Sequence, residues 1–250
     1  MNSIFLQIIY FSIGLFAGFT SGMFGIGGGS IRTPLLYIAG LPLRTAYAIN
    51  FFVIPFSSFI GAFSHRRNIV KNMFVWIIIA GVLGEILGAF HVGIIPVRFL
   101  AIIYVILCFL VSFGIFGDKI FPFFTKKIQP NKRNFAIASF IVSYITGLRG
   151  GSGGQVFPAL FKTLGLETRQ AIATSLVVSI FTAFGAIPVY WARGDMILFP
   201  AISVLIGSMA GARIGSLFSL KTKPIWLEIG LAFLIMLLAI SVLIKGVFNL

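Results

Sequence analysis

Two glycine-rich stretches contain the residues most able to bind a ligand. The first reads GMFGIGGGSIRTP at 22–34 and the second reads GLRGGSGGQVFP at 147–158. Each leads into a short apolar segment, at about 29–39 and about 154–164. Glycine lets a backbone approach a ligand closely, and the first turn of a helix presents unpaired N–H groups with a partial positive charge. The pattern therefore favours a site for a small oxyanion.

The side chains around the two stretches add donors to this predicted site. Arg149 stands directly before the second cluster and can supply a charge-assisted contact to an oxyanion. Asn50 and Ser175 occupy matching positions on the helices that follow each cluster. The expected substrate-binding residues are Gly27, Gly28, Gly29, Ser30, Thr33, Asn50, Arg149, Ser152, Gly153, Gly154, Gln155 and Ser175.

Three ionisable residues in apolar surroundings are candidates for coupling or for a salt bridge. Arg32 falls in the first turn of the first short helix, where it opposes the helix dipole and needs an anion or a carboxylate as its partner. Glu85 and Arg213 lie in matching segments and are expected to pair with each other. Alternatively, Glu85 is a protonatable group that couples transport to protons.

Other chemistries fit the sequence less well. No βαβ pattern surrounds the glycines and no Lys-Ser/Thr follows them, so a nucleotide loop is not indicated. His65 and His91 lack a metal-ligand partner at helical spacing, and no nucleophile motif is present, so neither a metal, a cofactor nor an enzyme is predicted. The pairs Gly84–Gly88 and Gly211–Gly215 are typical of close helix packing.

The composition requires a membrane environment. The chain is 59% hydrophobic and only 10% charged, whereas soluble domains are about one quarter charged. About 20 apolar residues span the hydrocarbon core as a helix. The sequence predicts eight such spans, at about 3–21, 43–64, 73–93, 97–117, 134–150, 168–191, 196–217 and 225–247.

The basic residues support the same interpretation. The formal charge of +14 falls mostly in short stretches between apolar runs, which is typical of the positive-inside bias of membrane proteins. No RNA-type motif accompanies it, so a nucleic-acid partner is not expected.

The chain also repeats itself. The segment from Gly40 to Asn50 matches 165–175 at a constant offset of 125 residues. We therefore predict an all-α polytopic membrane protein with two homologous halves, 1–117 and 134–250, joined by a basic cytoplasmic linker at 118–133. Each half has about four full spans plus a short re-entrant helix after the glycine-rich loop. If the short helices cross the membrane the halves are inverted, and otherwise they are parallel. The charge distribution favours inverted halves.

The doubled glycine motif, the duplication and the basic central linker resemble the TauE/SafE family of membrane transporters, the sulfite exporters. The resemblance covers essentially the whole chain. It implies a secondary carrier of sulfite, thiosulfate, sulfoacetate or related anions in the bacterial cytoplasmic membrane. The expected partners are a small anion, membrane lipid, and a proton or another coupling ion. An uncoupled anion channel and a membrane scaffold without substrate are the alternatives. The two half-sites are not expected to be equivalent, because Ser152 interrupts the second cluster.

Overall fold

The computed structural model describes residues 3–24, 28–64, 66–70, 74–115, 132–151, 156–157, 160–161, 166–219, 236–237 and 240–244. Every regular element among them is helical. The helices are α1 (Ser3–Phe24), α2 (Gly29–Ile38), α3 (Leu43–Ser64), α4 (Phe74–Ile94), α5 (Val97–Ile115), α6 (Lys132–Leu148), α7 (Thr168–Ala192) and α8 (Leu198–Ser219), with a 3₁₀ turn at Arg66–Asn68.

The helices lie close to the predicted apolar runs. Seven of the eight predicted spans correspond to helices, and the predicted span at 225–247 falls mostly outside the described residues. Five stretches of the described chain are long and apolar enough to cross a membrane: Ile4–Met23, Leu43–Phe63, Val75–Ile94, Ala173–Ala192 and Leu198–Phe218. The protein is therefore a multi-pass membrane protein. The short segment predicted at 29–39 is confirmed as the ten-residue helix α2, whereas the one at 154–164 lies largely outside the described residues.

The outer surface of the helices is apolar. Phe5, Trp76, Phe99, Leu217 and Phe218 are each more than half exposed. In water such a surface would aggregate, but a bilayer solvates it. Side chains that a soluble protein would bury thus face lipid here, which leaves the interior free to hold polar groups.

Glycines set the closest helix contacts. Gly18 on α1 faces the backbone of Ser208 on α8, and Gly211 on α8 faces the backbone of Leu15 on α1, so that a Cβ on either glycine would overlap the opposite helix. Gly84 and Gly88 on α4 approach α6 in the same way. The packing interpretation of the Gly84–Gly88 and Gly211–Gly215 pairs is confirmed, because small residues let helix backbones approach in a membrane.

The core surrounds α2 and α3. The span within α3 is 72% buried, against 39% for those within α1 and α4, because α3 packs against α2, α7 and α8. Helix α2 is shorter than a span, and its residues from Gly29 to Pro34 are all buried. Helix α2 packs against α1 and α3, and its buried first residues place its N-terminus within the protein and away from lipid.

Candidate functional site

The start of α2 is a helix N-terminus enclosed by protein. Gly28 caps it in the left-handed conformation, at φ 69°, which glycine adopts without strain, and no side chain caps the helix. The carbonyl of Gly28 accepts from the N–H groups of Ile31 and Arg32, at 3.2 and 2.9 Å. The amides of Gly29 and Ser30 belong to this first turn, where an α-helix itself supplies no acceptor for an N–H group. The N–H groups of a helix start and the helix dipole favour negative charge at this point.

The second glycine cluster meets the first at this N-terminus. Helix α6 ends where Gly150 takes the left-handed conformation, at φ 70°, and the N–H of Gly151 donates to the carbonyl of Thr146 at 3.1 Å. This geometry is a common way of closing a helix C-terminus. A Cβ on Gly29 would lie 3.4 Å from the Cα of Gly151. The sequence placed these two glycines 122 residues apart, and the fold brings their backbones into contact.

Asn50 on α3 joins the two clusters. Its Nδ2 donates to the carbonyl of Gly150 at 2.7 Å, and its Oδ1 accepts from Nη1 of Arg32 at 2.5 Å. Asn50 is fully buried, so both halves of its amide need partners and both find them. Asn50 therefore lies between the two glycine-rich stretches, in the region for which the sequence predicts a binding role.

Arg32 is a buried cation with unused donors. Its side chain is fully buried, and its Nη1 is bound to Asn50. Its Nε and Nη2 have no hydrogen-bond partner in the described part of the chain. Such donors cost free energy unless an acceptor reaches them. The acceptor that Arg32 meets is an amide and not a carboxylate, so the guanidinium retains its full positive charge for a ligand.

Arg149 brings a second buried cation to the same place. It is 2% exposed, and its Nη1 donates to the Oγ of Ser30 at 2.7 Å. Ser30 belongs to the first turn of α2, so Arg149 links the end of α6 to the start of α2. Two guanidinium groups thus converge on one helix N-terminus.

Tyr104 on α5 completes this arrangement, and the sequence analysis missed it. Pro34 has no N–H, so α2 lacks the hydrogen bond that residue 34 would donate to the carbonyl of Ser30. The hydroxyl of Tyr104 donates to that carbonyl at 3.0 Å. Tyr47 was missed as well: a Cβ on Gly150 would overlap its ring. The available signal was Pro34, because a proline inside a helix predicts a carbonyl that needs another donor.

Glu85 lies in a separate buried polar cluster beside Arg149. It is fully buried on α4. The hydroxyls of Ser143 and Thr182 and the charge of Arg149 face the carboxylate, but neither carboxylate oxygen receives a hydrogen bond of good geometry within the described residues. A Cβ on Gly147, two residues before Arg149, would lie 3.4 Å from Oε1 of Glu85. The charge of Arg149, the residue that contacts Ser30, therefore acts on this carboxylate.

The expected salt bridge between Glu85 and Arg213 is wrong. Arg213 is exposed on α8, which packs against α1 and α3, whereas Glu85 is enclosed where α4 meets α6 and α7. Matching positions in two sequence copies do not have to touch, because each copy packs its helices against different neighbours. The positive charge that acts on Glu85 comes from Arg149 instead.

The remaining predicted residues divide into two groups. Thr33 and Ser175 are fully buried, and the Oγ1 of Thr33 has no partner among the described residues. Ser175 lies on α7. The other predicted residues lie outside the described residues: Gly27, Ser152, Gly153, Gly154 and Gln155.

The fold and the site together are those of a membrane transporter. Apolar helices span the membrane, a short broken helix starts inside the protein, and buried cations converge on that start. Irregular backbone at membrane depth is tolerated only where protein or a water-filled cavity surrounds it, and it marks binding sites in membrane transporters.

Comparison with known proteins agrees with this class. The family model described as sulfite exporter TauE/SafE matches residues 10–242, and the chain therefore belongs to the TauE/SafE family. No solved structure matches it at a significant level.

Several relatives from bacteria are named as probable membrane transporters. "Probable membrane transporter protein YdhB" of Bacillus subtilis (strain 168) is 27% identical over 224 residues, which cover 85% of this chain and 88% of the relative. "Probable membrane transporter protein YjnA" of the same strain is 26% identical over 235 residues, with 85% and 90% covered. "Probable membrane transporter protein ORF9" of Sinorhizobium sp is 26% identical over 255 residues, with 94% and 93% covered.

Proposed function

We propose that this protein is a secondary transporter of small anions, in particular sulfur oxyanions and organosulfonates, in the bacterial cytoplasmic membrane. One observation carries the proposal: Arg32, fully buried at the start of α2, keeps Nε and Nη2 without a partner among the residues that the structure describes. A buried guanidinium stays charged, so these donors need a negatively charged acceptor. The description of the family model as a sulfite exporter supports sulfur oxyanions as the substrate class.

The bound anion would lie between the two glycine clusters. The N–H groups of Gly29 and Ser30, the free donors of Arg32 and the guanidinium of Arg149 would hold its oxygens. Glycine matters here because a Cβ on Gly29 would stand 2.6 Å from Nδ2 of Asn50, in the space that a ligand needs. The predicted contacts from Gly27, Ser152, Gly153, Gly154 and Gln155 belong to the same proposal.

Alternating access would follow from the two halves, 1–117 and 134–250, moving around this site. The first helix of each half packs on a late helix of the other half, α1 on α8 and α6 on α4, which supports a pseudo-symmetric pair of halves. An inverted relation between them fits the charge distribution. The residues at the start of α2 are all buried in this conformation. The protein would therefore have to open toward one side of the membrane before the anion could enter.

Anion binding by purified protein tests the proposal, with Arg32→Gln as the informative variant. An anion at 100 times its Kd stabilises the fold by about 2.7 kcal/mol, and the stabilisation should be visible as a thermal shift with sulfite, thiosulfate, sulfate or sulfoacetate. Arg32→Gln should fold, because it removes a buried charge, and should lose this stabilisation. Arg98→Gln changes the same charge at an exposed position on α5 and should behave as the unchanged protein.

Transport in vesicles separates the alternatives. A carrier accumulates labelled anion in exchange for unlabelled anion inside, whereas an uncoupled channel does not accumulate it. A scaffold neither binds nor transports. No stabilisation of the unchanged protein by any of the four anions would refute the proposal.

A further inference from the structure

The buried charges of the protein do not balance. Among the described residues, the charged side chains that are buried are Arg32, Arg149 and Glu85. Two cations and one anion leave one net positive charge at the enclosed centre. Uncompensated charge inside a membrane is costly, so this centre is expected to attract negative charge.

The ligand's charge therefore decides the protonation state of Glu85. A monoanion balances the centre when Glu85 is ionised. A dianion overcompensates it by one charge, and the balance returns only if the carboxylate takes up a proton. Glu85 is suited to this role because its oxygens accept no hydrogen bond of good geometry in the described part of the chain, so few contacts hold it in the ionised form.

Arg149 connects the two events physically. Its Nη1 contacts Ser30 in the first turn of α2, and its charge acts on Glu85. An anion bound between α2 and Arg149 uses the same positive charge that favours ionised Glu85. Binding of the anion and ionisation of Glu85 are thus opposed.

The surroundings of Glu85 favour a proton over a metal cation. Gly81 on α4 is packed so closely that a Cβ would lie 2.8 Å from the Oγ of Ser139 and 2.9 Å from Cγ2 of Thr182. A coordinated sodium ion needs several oxygen ligands around it, whereas a proton needs only the carboxylate. The other ionisable groups near Glu85 on the packed helices are Arg149, Tyr190 with the adjacent Arg193 and Asp195, and, further along α4 and α6, His91 and Tyr144.

We propose that Glu85 carries one proton with each dianion that the protein transports. This inference rests on the proposed function. On the entry side, a dianion binds at the start of α2 and the Glu85 carboxylate takes one proton from water to become a carboxylic acid. On the exit side, the dianion leaves and the acid returns its proton to water. No electron moves, and a monoanion is carried without a proton.

Proton uptake on binding tests this directly. Thiosulfate and sulfate, which remain dianions at neutral pH, are added to the purified protein in weak buffer with a pH indicator, and methanesulfonate serves as the monoanion. The dianions should take up about one proton per bound anion, and their affinity should rise about tenfold for each unit of falling pH where Glu85 is ionised in the empty protein. Methanesulfonate should take up none.

Glu85→Gln mimics the protonated carboxyl. It should bind thiosulfate without proton uptake and with an affinity independent of pH. Glu167→Gln, the same change at an exposed residue, should retain uptake of about one proton. Should Glu85→Gln fail to fold, Glu85→Asp keeps a carboxylate and should retain the uptake at a shifted pH.

The outcomes distinguish this inference from the proposed function. If the unchanged protein binds none of the anions, the proposed function fails. The inference is wrong, while the anion site stands, if dianions bind without proton uptake or if only monoanions bind. It is also wrong if Glu85→Gln still takes up a proton, or if Glu85→Asp takes up its proton at the same pH as the unchanged protein. Dianion binding that takes up sodium instead of protons overturns it as well.

Discussion

Replacing Tyr104 by phenylalanine removes one oxygen and tests how α2 tolerates Pro34. The Tyr104 hydroxyl donates to the carbonyl of Ser30 at 3.0 Å, and the side chains of both residues are 1% exposed. That carbonyl lacks the donor that an α-helix normally supplies, because Pro34 occupies the position four residues later. Tyr104→Phe keeps the ring and leaves a buried acceptor without this donor.

The expected loss follows from the burial of this hydrogen bond. An unsatisfied buried acceptor costs about 1–3 kcal/mol in soluble proteins, and hydrogen bonds between membrane helices are worth about 0.6 and at most about 1.7 kcal/mol. We expect Tyr104→Phe to lower the free energy of unfolding by about 1 kcal/mol. With Pro34→Ala in the same chain, the new N–H of residue 34 can donate to Ser30, and the cost of Tyr104→Phe should fall to near zero.

Reversible unfolding in mixed micelles provides the assay. Increasing the denaturing detergent and following tryptophan fluorescence gives the free energy of unfolding for the four members of the double-mutant cycle. General effects of Pro34→Ala on helix propensity and on the unfolded chain cancel in the cycle. Tyr10→Phe on α1, which removes the same oxygen from another buried tyrosine, is the matched control and should cost less than about 0.5 kcal/mol.

The cycle can refute the reasoning. If Tyr104→Phe costs the same with proline and with alanine at position 34, to within about 0.3 kcal/mol, then the tyrosine does not compensate for the proline. The link between the helix break and α5 would then be wrong.

Two further predictions concern the second cluster and Asn50. Gly150→Ala should destabilise the fold by about 2 kcal/mol or more beyond the loss caused by Gly194→Ala, measured by the same unfolding assay. Both glycines have a positive φ, at which an alanine costs about 1–2 kcal/mol of strain, but only at Gly150 would a Cβ meet the ring of Tyr47. Equal losses for the two variants would contradict this prediction. Asn50→Asp should leave the protein folded but weaken anion binding by about tenfold or more in a thermal-shift titration. The reason is that a carboxylate at this position pairs with Arg32 and takes the place of the ligand's charge. Unchanged affinity would show that Arg32 does not bind the anion.

The spans, the packing glycines and the broken helix were predictable because their causes are local. A run of about 20 apolar residues can only be satisfied across the hydrocarbon core as a helix. The helices at Leu43–Ser64 and Thr168–Ala192 accordingly begin at or beside the predicted residues. Helix α2 begins at Gly29, as the glycines before it and the apolar residues after it indicated.

The partners of the site residues were not predictable in the same way. Arg32 and Asn50 are 18 residues apart, Ser30 and Tyr104 are 74 apart, and Ser30 and Arg149 are 119 apart. Which side chains meet depends on how each helix is rotated and where it crosses its neighbours. The pairing of Glu85 with Arg213 failed for this reason, since equivalent positions in two copies face different helices.

The sequence by itself determined that this chain is a helical membrane protein with two glycine-rich clusters and a short helix after the first, because hydropathy and backbone freedom are properties of consecutive residues. Only the tertiary structure decided what the start of that helix faces. It placed Gly29 against Gly151, and it supplied the hydroxyl of Tyr104 to the carbonyl of Ser30 in place of the N–H that Pro34 lacks. It also left two donors of Arg32 without a partner among the described residues and brought the charge of Arg149 to act on Glu85. The physical reason is that charge and hydrogen-bond balance in a buried site is a sum over several helices, and no single stretch of sequence contains that sum.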